Sequence, residues 1–92
     1  MDTANILSMI SSGHLGDARL ALDGAAAEAT APRDKAAVEY LRGRLAWKEG
    51  NKGEAISCYE RATIMDPDSD AAVALDQARE IMDFFNKDLY NP

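Results

Sequence analysis

The side chains able to carry chemistry are few, and their spacing limits what that chemistry can be. His14 is the only histidine and Cys58 the only cysteine. No Ser or Cys has a second histidine beside it in sequence, and no glycine-rich phosphate loop or Gly-x-Ser-x-Gly turn occurs. Metal ligation would have to come from carboxylates and one thiol, at spacings that suit no cage. The run Asp66-Pro67-Asp68-Ser69-Asp70 opens like a calcium loop. The glycine that such a loop needs at its sixth position is Ala71, however, and the glutamate needed at its twelfth is Gln77. The acids are better placed as a helix start, where they meet the positive end of the helix dipole. No catalytic residue, metal or cofactor is therefore expected. What remains is recognition chemistry. Ala37, Tyr40, Arg44, Trp47 and Lys48 recur at helical spacing on one face. Tyr, Trp and Arg are the side chains that most often dominate an interface when they sit at its centre. Two alternatives stand beside that one: Trp47 and Tyr40 as packing residues, and Arg44 with Lys48 as a solvated basic pair near Glu39 and Glu49.

Those residues need helices to position them, and an internal repeat supplies the evidence for helices. Gly13-His14-Leu15-Gly16-Asp17-Ala18 aligns with Gly50-Asn51-Lys52-Gly53-Glu54-Ala55. In the same register Leu22 falls on Tyr59 and Ala25 on Ala62. A glycine just past a helix allows a left-handed C-cap, and small residues on the next helix let two helices approach closely. Each unit thus reads as a helical hairpin. Val38, Leu41, Leu45 and Ala46 form an apolar stripe before the Gly50-Asn51 break, and Ala55, Ile56, Tyr59 and Ala62 form another after it. Pro67 ends that second run. The pattern predicts helices over about 2–12, 15–30, 34–49, 53–65 and 69–87, with Asp34 and Ser69 as candidate N-caps.

Gly43, Gly50, Ala55, Tyr59, Ala62 and Asp66-Pro67 have the identities and spacing of the tetratricopeptide repeat signature, which this chain resembles over about residues 36–69. The first unit keeps the second half of the signature through Gly13, Ala18, Leu22 and Ala25, while Ile6 stands where the second unit has Gly43. Residues 70–87 are similar to the helix that caps such arrays. The resemblance implies an all-α fold of antiparallel helix-turn-helix hairpins, stacked as a short right-handed superhelix within one domain over 1–92. A degenerate repeat would cover 1–32, a full repeat 33–69, and the capping helix and tail 70–92. It also implies a protein-binding function through a concave groove, to which the family's pattern assigns Ala37, Tyr40, Leu41, Arg44, Trp47 and Lys48. The Lys and Asn set with which some members clamp a terminal carboxylate is not reproduced, because Thr3, Ala4 and Leu41 occupy the corresponding places.

Composition and charge narrow the partners. The chain has 92 residues, 47% hydrophobic and 28% charged, within the range of folded globular proteins. The net charge is −6, with seven basic against five acidic residues over 33–65 and acidic excesses on either side. That balance argues against nucleic acid, whose binding needs a continuous basic face, and favours a protein or peptide partner with acidic groups. Residues 1–12 lack Lys, Arg and any long apolar run, so neither a leader nor a membrane span is expected there. A single cysteine agrees with a reducing, cytoplasmic setting. Four large apolar residues, Phe84, Phe85, Leu89 and Tyr90, crowd the tail. They fold back on the second repeat through a face that includes Ile81 and Met82, or Ile81, Met82, Phe85, Leu89 and Tyr90 pair two copies as a weak homodimer.

Overall fold

The computed structural model describes the backbone of residues 1–90 and the side chains of residues 1–84. Five α-helices follow one another: α1 (Thr3–Ser11), α2 (Leu15–Glu28), α3 (Pro32–Lys48), α4 (Lys52–Met65) and α5 (Ala71–Tyr90). No strand occurs among the described residues.

The two hairpin turns are built alike, as the recurring glycines predict. Gly13 and Gly50 take φ of 83° and 85°, and no other described residue has a positive φ. In the first turn the Gly13 N–H donates to the Ile10 carbonyl at 3.1 Å and the His14 N–H to the Met9 carbonyl at 2.8 Å. In the second turn Gly50 donates to Trp47 at 3.0 Å and Asn51 to Ala46 at 2.9 Å. Each glycine lets the chain reverse while satisfying carbonyls that a helix end leaves without partners.

The helix starts are less uniform. The Asp2 side chain accepts from the Asn5 N–H at 3.0 Å and the Asn51 side chain from the Glu54 N–H at 3.3 Å. Asp34 is not the N-cap of α3. Ala31 holds that place in an extended conformation, and Pro32 begins the helix because its fixed φ suits the first turn and its missing N–H is not needed there. Asp34 lies within the first turn, where its charge still complements the dipole. Ser69 is not the N-cap of α5 either. The helix begins at Ala71, the Asp70 carbonyl accepts from the Ala74 N–H at 3.1 Å, and the Ser69 hydroxyl is buried without a hydrogen-bond partner.

The core is continuous through the stack but changes in texture. At the first hairpin, Ile6, Ile10, Ala18 and Leu22 pack with Leu41 and Leu45 of α3. Further along, Ala46, Ala55 and Tyr59 meet Leu75 and Ala78 of α5, and Ala36, Ala62 and Ala71 form an all-alanine contact beside them. Aligned positions share their burial: Ala18 and Ala55 are wholly enclosed, as are Leu22 and Tyr59 to within a few per cent. α3 and α4 are the most intimately packed pair, because Gly43 presents no side chain to the Tyr59 ring. α5 lies against α4 and more lightly against α3, burying Ala71, Leu75 and Ala78. Among the described residues, its buried face is thus made of small residues and one leucine. Of the other residues expected to cover the hairpin, Ile81 is 41% exposed, Met82 is half-buried, and the Phe85 side chain lies outside the described residues.

Candidate functional site

Two concavities follow one another along α3 between α1 and α5, and together they make up the groove. In the first, Arg44, Trp47 and Lys48 of α3 meet Ile10 of α1 and Gln77 and Ile81 of α5 around a cavity of about 350 Å³. In the second, Ala37 and Tyr40 of α3 meet Thr3 of α1 and the loop before α5 around about 690 Å³. Residues 33, 37, 40, 44 and 47/48 recur at helical spacing, so a single stripe of α3 floors both halves. Parallel elements flank it: the start of α1 and the residues before α5 at one end, the end of α1 and the middle of α5 at the other.

Five of the six positions assigned to this face from sequence line it. Arg44 and Lys48 are exposed, Ala37 is half-buried, and Tyr40 and Trp47 each combine packing with lining. Tyr40 touches all three groups of core residues, and its ring centroid lies 6.1 Å from that of Tyr59. Trp47 packs against the Ala46, Tyr59 and Leu75 cluster, while the Lys52 ammonium lies 5.3 Å from its ring centroid. Such contact is a cation–π attraction. For both aromatics the packing and recognition alternatives are not exclusive, since each packs against core residues and also lines the groove.

Leu41 is the correction. It has no exposed surface and sits among Ile6, Ile10, Leu22 and Leu45, so it belongs to the core and not to the groove. The reason is the stacking itself. α3 carries helices on several sides, and the step of one residue from Tyr40 turns position 41 toward the first hairpin. Sequence reasoning missed the walls. Ile10, Tyr59, Gln77 and Ile81 line the same cavity as Arg44 from three other helices. The only local trace of them was Gln77 set among Ala74 and Ala78 at helical spacing.

Four arginines are held in ion pairs away from this face, whereas Arg33, Lys35, Arg44 and Lys48 are in none among the described residues. Arg19 pairs with Glu49, Arg42 with Asp23 and Glu39, Arg61 with Glu39 and Glu54, and Arg79 with Glu60. Tyr59, beneath Arg44, has its phenol pushed up to about 12, first by burial and with Arg44 opposing the shift. On the opposite side of the stack, burial pushes the Cys58 thiol up to about 11. Arg61 opposes that shift, and Glu39 and Glu54 reinforce it. The thiol lies 3.5 Å from a Glu54 carboxylate oxygen and 3.3 Å from Arg61 Nη2. Burial and the raised pKa favour the protonated thiol, whereas the thiolate is the reactive form. Both groups hold their protons more tightly folded than unfolded, so their stabilisation is complete below about pH 9 and is lost as pH rises through 11 to 12. Urea midpoints should fall across that window, and Cys58→Ala should flatten the part between about pH 9 and 11.

Among the described residues no group of His, Cys, Asp and Glu could hold a metal ion, and no helix is long and apolar enough to cross a membrane. Of the residues offered above for self-association, Ile81 is exposed and lines the groove, Met82 is half-buried, and the side chains of Phe85, Leu89 and Tyr90 lie outside the described residues.

The family model described as tetratricopeptide repeat matches residues 7–70 and again residues 40–79, so the matches together run through both hairpins and into α5. No curated protein and no solved structure matches the chain. Repeats of this kind generally mediate protein–protein interaction and are typically not catalytic. The duplicated hairpins, their matched glycine turns and these overlapping matches lead to one conclusion: this chain belongs to the tetratricopeptide repeat family.

Proposed function

We propose that this protein is an adaptor that holds a segment of a partner protein in the groove along α3, without catalysis. One observation carries the reading: Arg44 and Lys48, which form no ion pair among the described residues, converge with Trp47 and with apolar and amide side chains from α1 and α5 on one cavity. A cation that is already paired gives up a partner when a ligand arrives, whereas Arg44 and Lys48 keep their charge available. The carboxylate of an acidic side chain or a chain terminus suits them, with Trp47 and Ile81 offering apolar area beside it. Affinity is expected to be modest, because so short a groove offers less than the ~1,200 Å² typical of stable complexes. The buried thiol suits work in a reducing compartment such as the cytoplasm.

An acidic peptide titrated at low salt should shift the amide signals of Arg44, Trp47, Lys48 and Gln77 together and saturably in a proton–nitrogen spectrum. Arg44→Ala should weaken that binding about tenfold, the usual size of a central arginine contact. Arg44 is exposed, so the variant should keep the native stability. Saturable shifts confined to other surfaces, or full affinity in Arg44→Ala, would sink the groove reading.

A second reading rests on α5, which leaves Val73 at 61% and Phe84 at 66% exposure. Pairing of two copies through this helix would make the protein a homodimerising structural module. A molecular mass that stays monomeric across a wide concentration range eliminates it.

A further inference from the structure

The groove is electrically polarised along its length. Around the half containing Ala37 and Tyr40 the charged side chains are those of Asp34, Asp66, Asp68, Asp70 and Arg33, with Met1 also on the lining. Around the other half the charged side chains are Arg44 and Lys48. Asp34, Asp68 and Asp70 form no ion pair among the described residues. Helix dipoles reduce this contrast without removing it. α1, α3 and α5 all begin at the acidic end, and each helix start carries about half a positive charge, so their sum is about half of the net negative side-chain charge there. Ser69, half-buried with its hydroxyl enclosed and without a hydrogen-bond partner among the described residues, borders the same half.

We propose that the groove selects a bipolar segment of a partner, one that places an acidic group against Arg44 and Lys48 and a basic group against Asp34, Asp68 and Asp70. The inference rests on the groove reading above and adds the partner's chemistry and its orientation. Spacing follows from α3 itself. Asp34 and Lys48 are separated by about 21 Å of helix, at about 1.5 Å of rise per residue. An extended ligand spans that distance in about six residues. Charge complementarity at both ends favours such a segment over a uniformly acidic one. The acidic peptide would bring its second charge against the carboxylates, and like charges in contact are penalised. The polarity also gives the ligand one preferred direction, since reversing it would set both ends against their own sign.

Three short capped peptides with the same apolar residues test this: one with Lys and Glu about six positions apart, one with Glu at both places, and one with Gln at both. Binding at low salt is read from Trp47 fluorescence, which is unambiguous because Trp47 is the only tryptophan. Nitroxide labels on either end of the bipolar peptide report its direction through line broadening. The bipolar peptide should bind about fivefold more tightly than the acidic one, in keeping with one or two exposed ion pairs. The label beside its Glu should broaden Gln77 and Lys48, and the label beside its Lys should broaden Ala37 and Ser69. In the double variant Asp68→Asn, Asp70→Asn the preference should disappear while the acidic peptide binds at least as well as before. Asn at position 70 can still cap α5, which keeps the fold intact. Equal or tighter binding of the acidic peptide to the unaltered protein, or labels that broaden both ends alike, overturns the inference and leaves the groove reading standing. If no peptide perturbs Trp47 or Ala37, both fall together.

Discussion

Replacing Leu41 with alanine should lower the unfolding free energy by about 3 kcal/mol, within the range found when a buried leucine is truncated. Leu41 has no exposed surface, and it joins Ile6 and Ile10 of α1, Leu22 of α2 and Leu45 of its own helix. Its removal would leave a void at the junction of the two hairpins, and helices fixed by contacts elsewhere cannot close over it fully. For a chain of this length total stability is on the order of 5–14 kcal/mol, so the loss is a large fraction. The urea midpoint should move with little change in slope. Peptide affinity of the folded protein should be unchanged, because the side chain does not reach the groove. A variant of normal stability and weakened binding would show instead that position 41 faces the ligand.

Gly43→Ala should cost about 2 kcal/mol, although alanine is the better helix former by about 1 kcal/mol. A Cβ at position 43 would lie 2.4 Å from Tyr59 Cε1 and 2.6 Å from Cδ1, closer than carbon atoms approach. The ring has little room to yield, being 3% exposed and held among Tyr40, Ala46, Ala55, Leu75 and Ala78. Overpacking of this kind typically costs 1–3 kcal/mol. The first hairpin suggests the remedy. Its residues aligned with Gly43 and Tyr59 are Ile6 and Leu22, so bulk has moved from one helix of the pair to the other, and both are buried. Tyr59→Leu should therefore recover part of the loss in a Gly43→Ala background. In a double-mutant cycle the two changes should be less damaging together than their separate effects predict. Strict additivity would mean that the contact between positions 43 and 59 is not what limits the packing of α3 on α4.

The local geometry of the hairpins was legible in the sequence, because the forces that set it act over a few residues. Gly13 and Gly50 take the left-handed φ that their positions call for, and the helices fall within a few residues of the expected spans. Where two local signals competed, the stronger backbone constraint prevailed. Pro32 began α3 ahead of Asp34, because the ring restricts the main chain directly whereas a capping side chain contributes about 1 kcal/mol. Ser69 gave way to Asp70 in the turn between α4 and α5, with the Asp68 N–H donating to the Asp66 carboxylate at 3.2 Å.

The sequence by itself determined the repeat, the five helices, the two glycine turns and the stripe of α3 that carries Ala37, Tyr40, Arg44, Trp47 and Lys48. Each depends on residues close together in the chain or on an identity recurring at a constant spacing. Only the tertiary structure decided that Leu41 is core, that Trp47 packs and lines at once, and that Ile10, Gln77 and Ile81 complete the groove. A helical stripe defines a face but not its neighbours. Which residues of that face meet solvent depends on where α1 and α5 lie against α3, and burial of apolar surface between distant segments settles that placement.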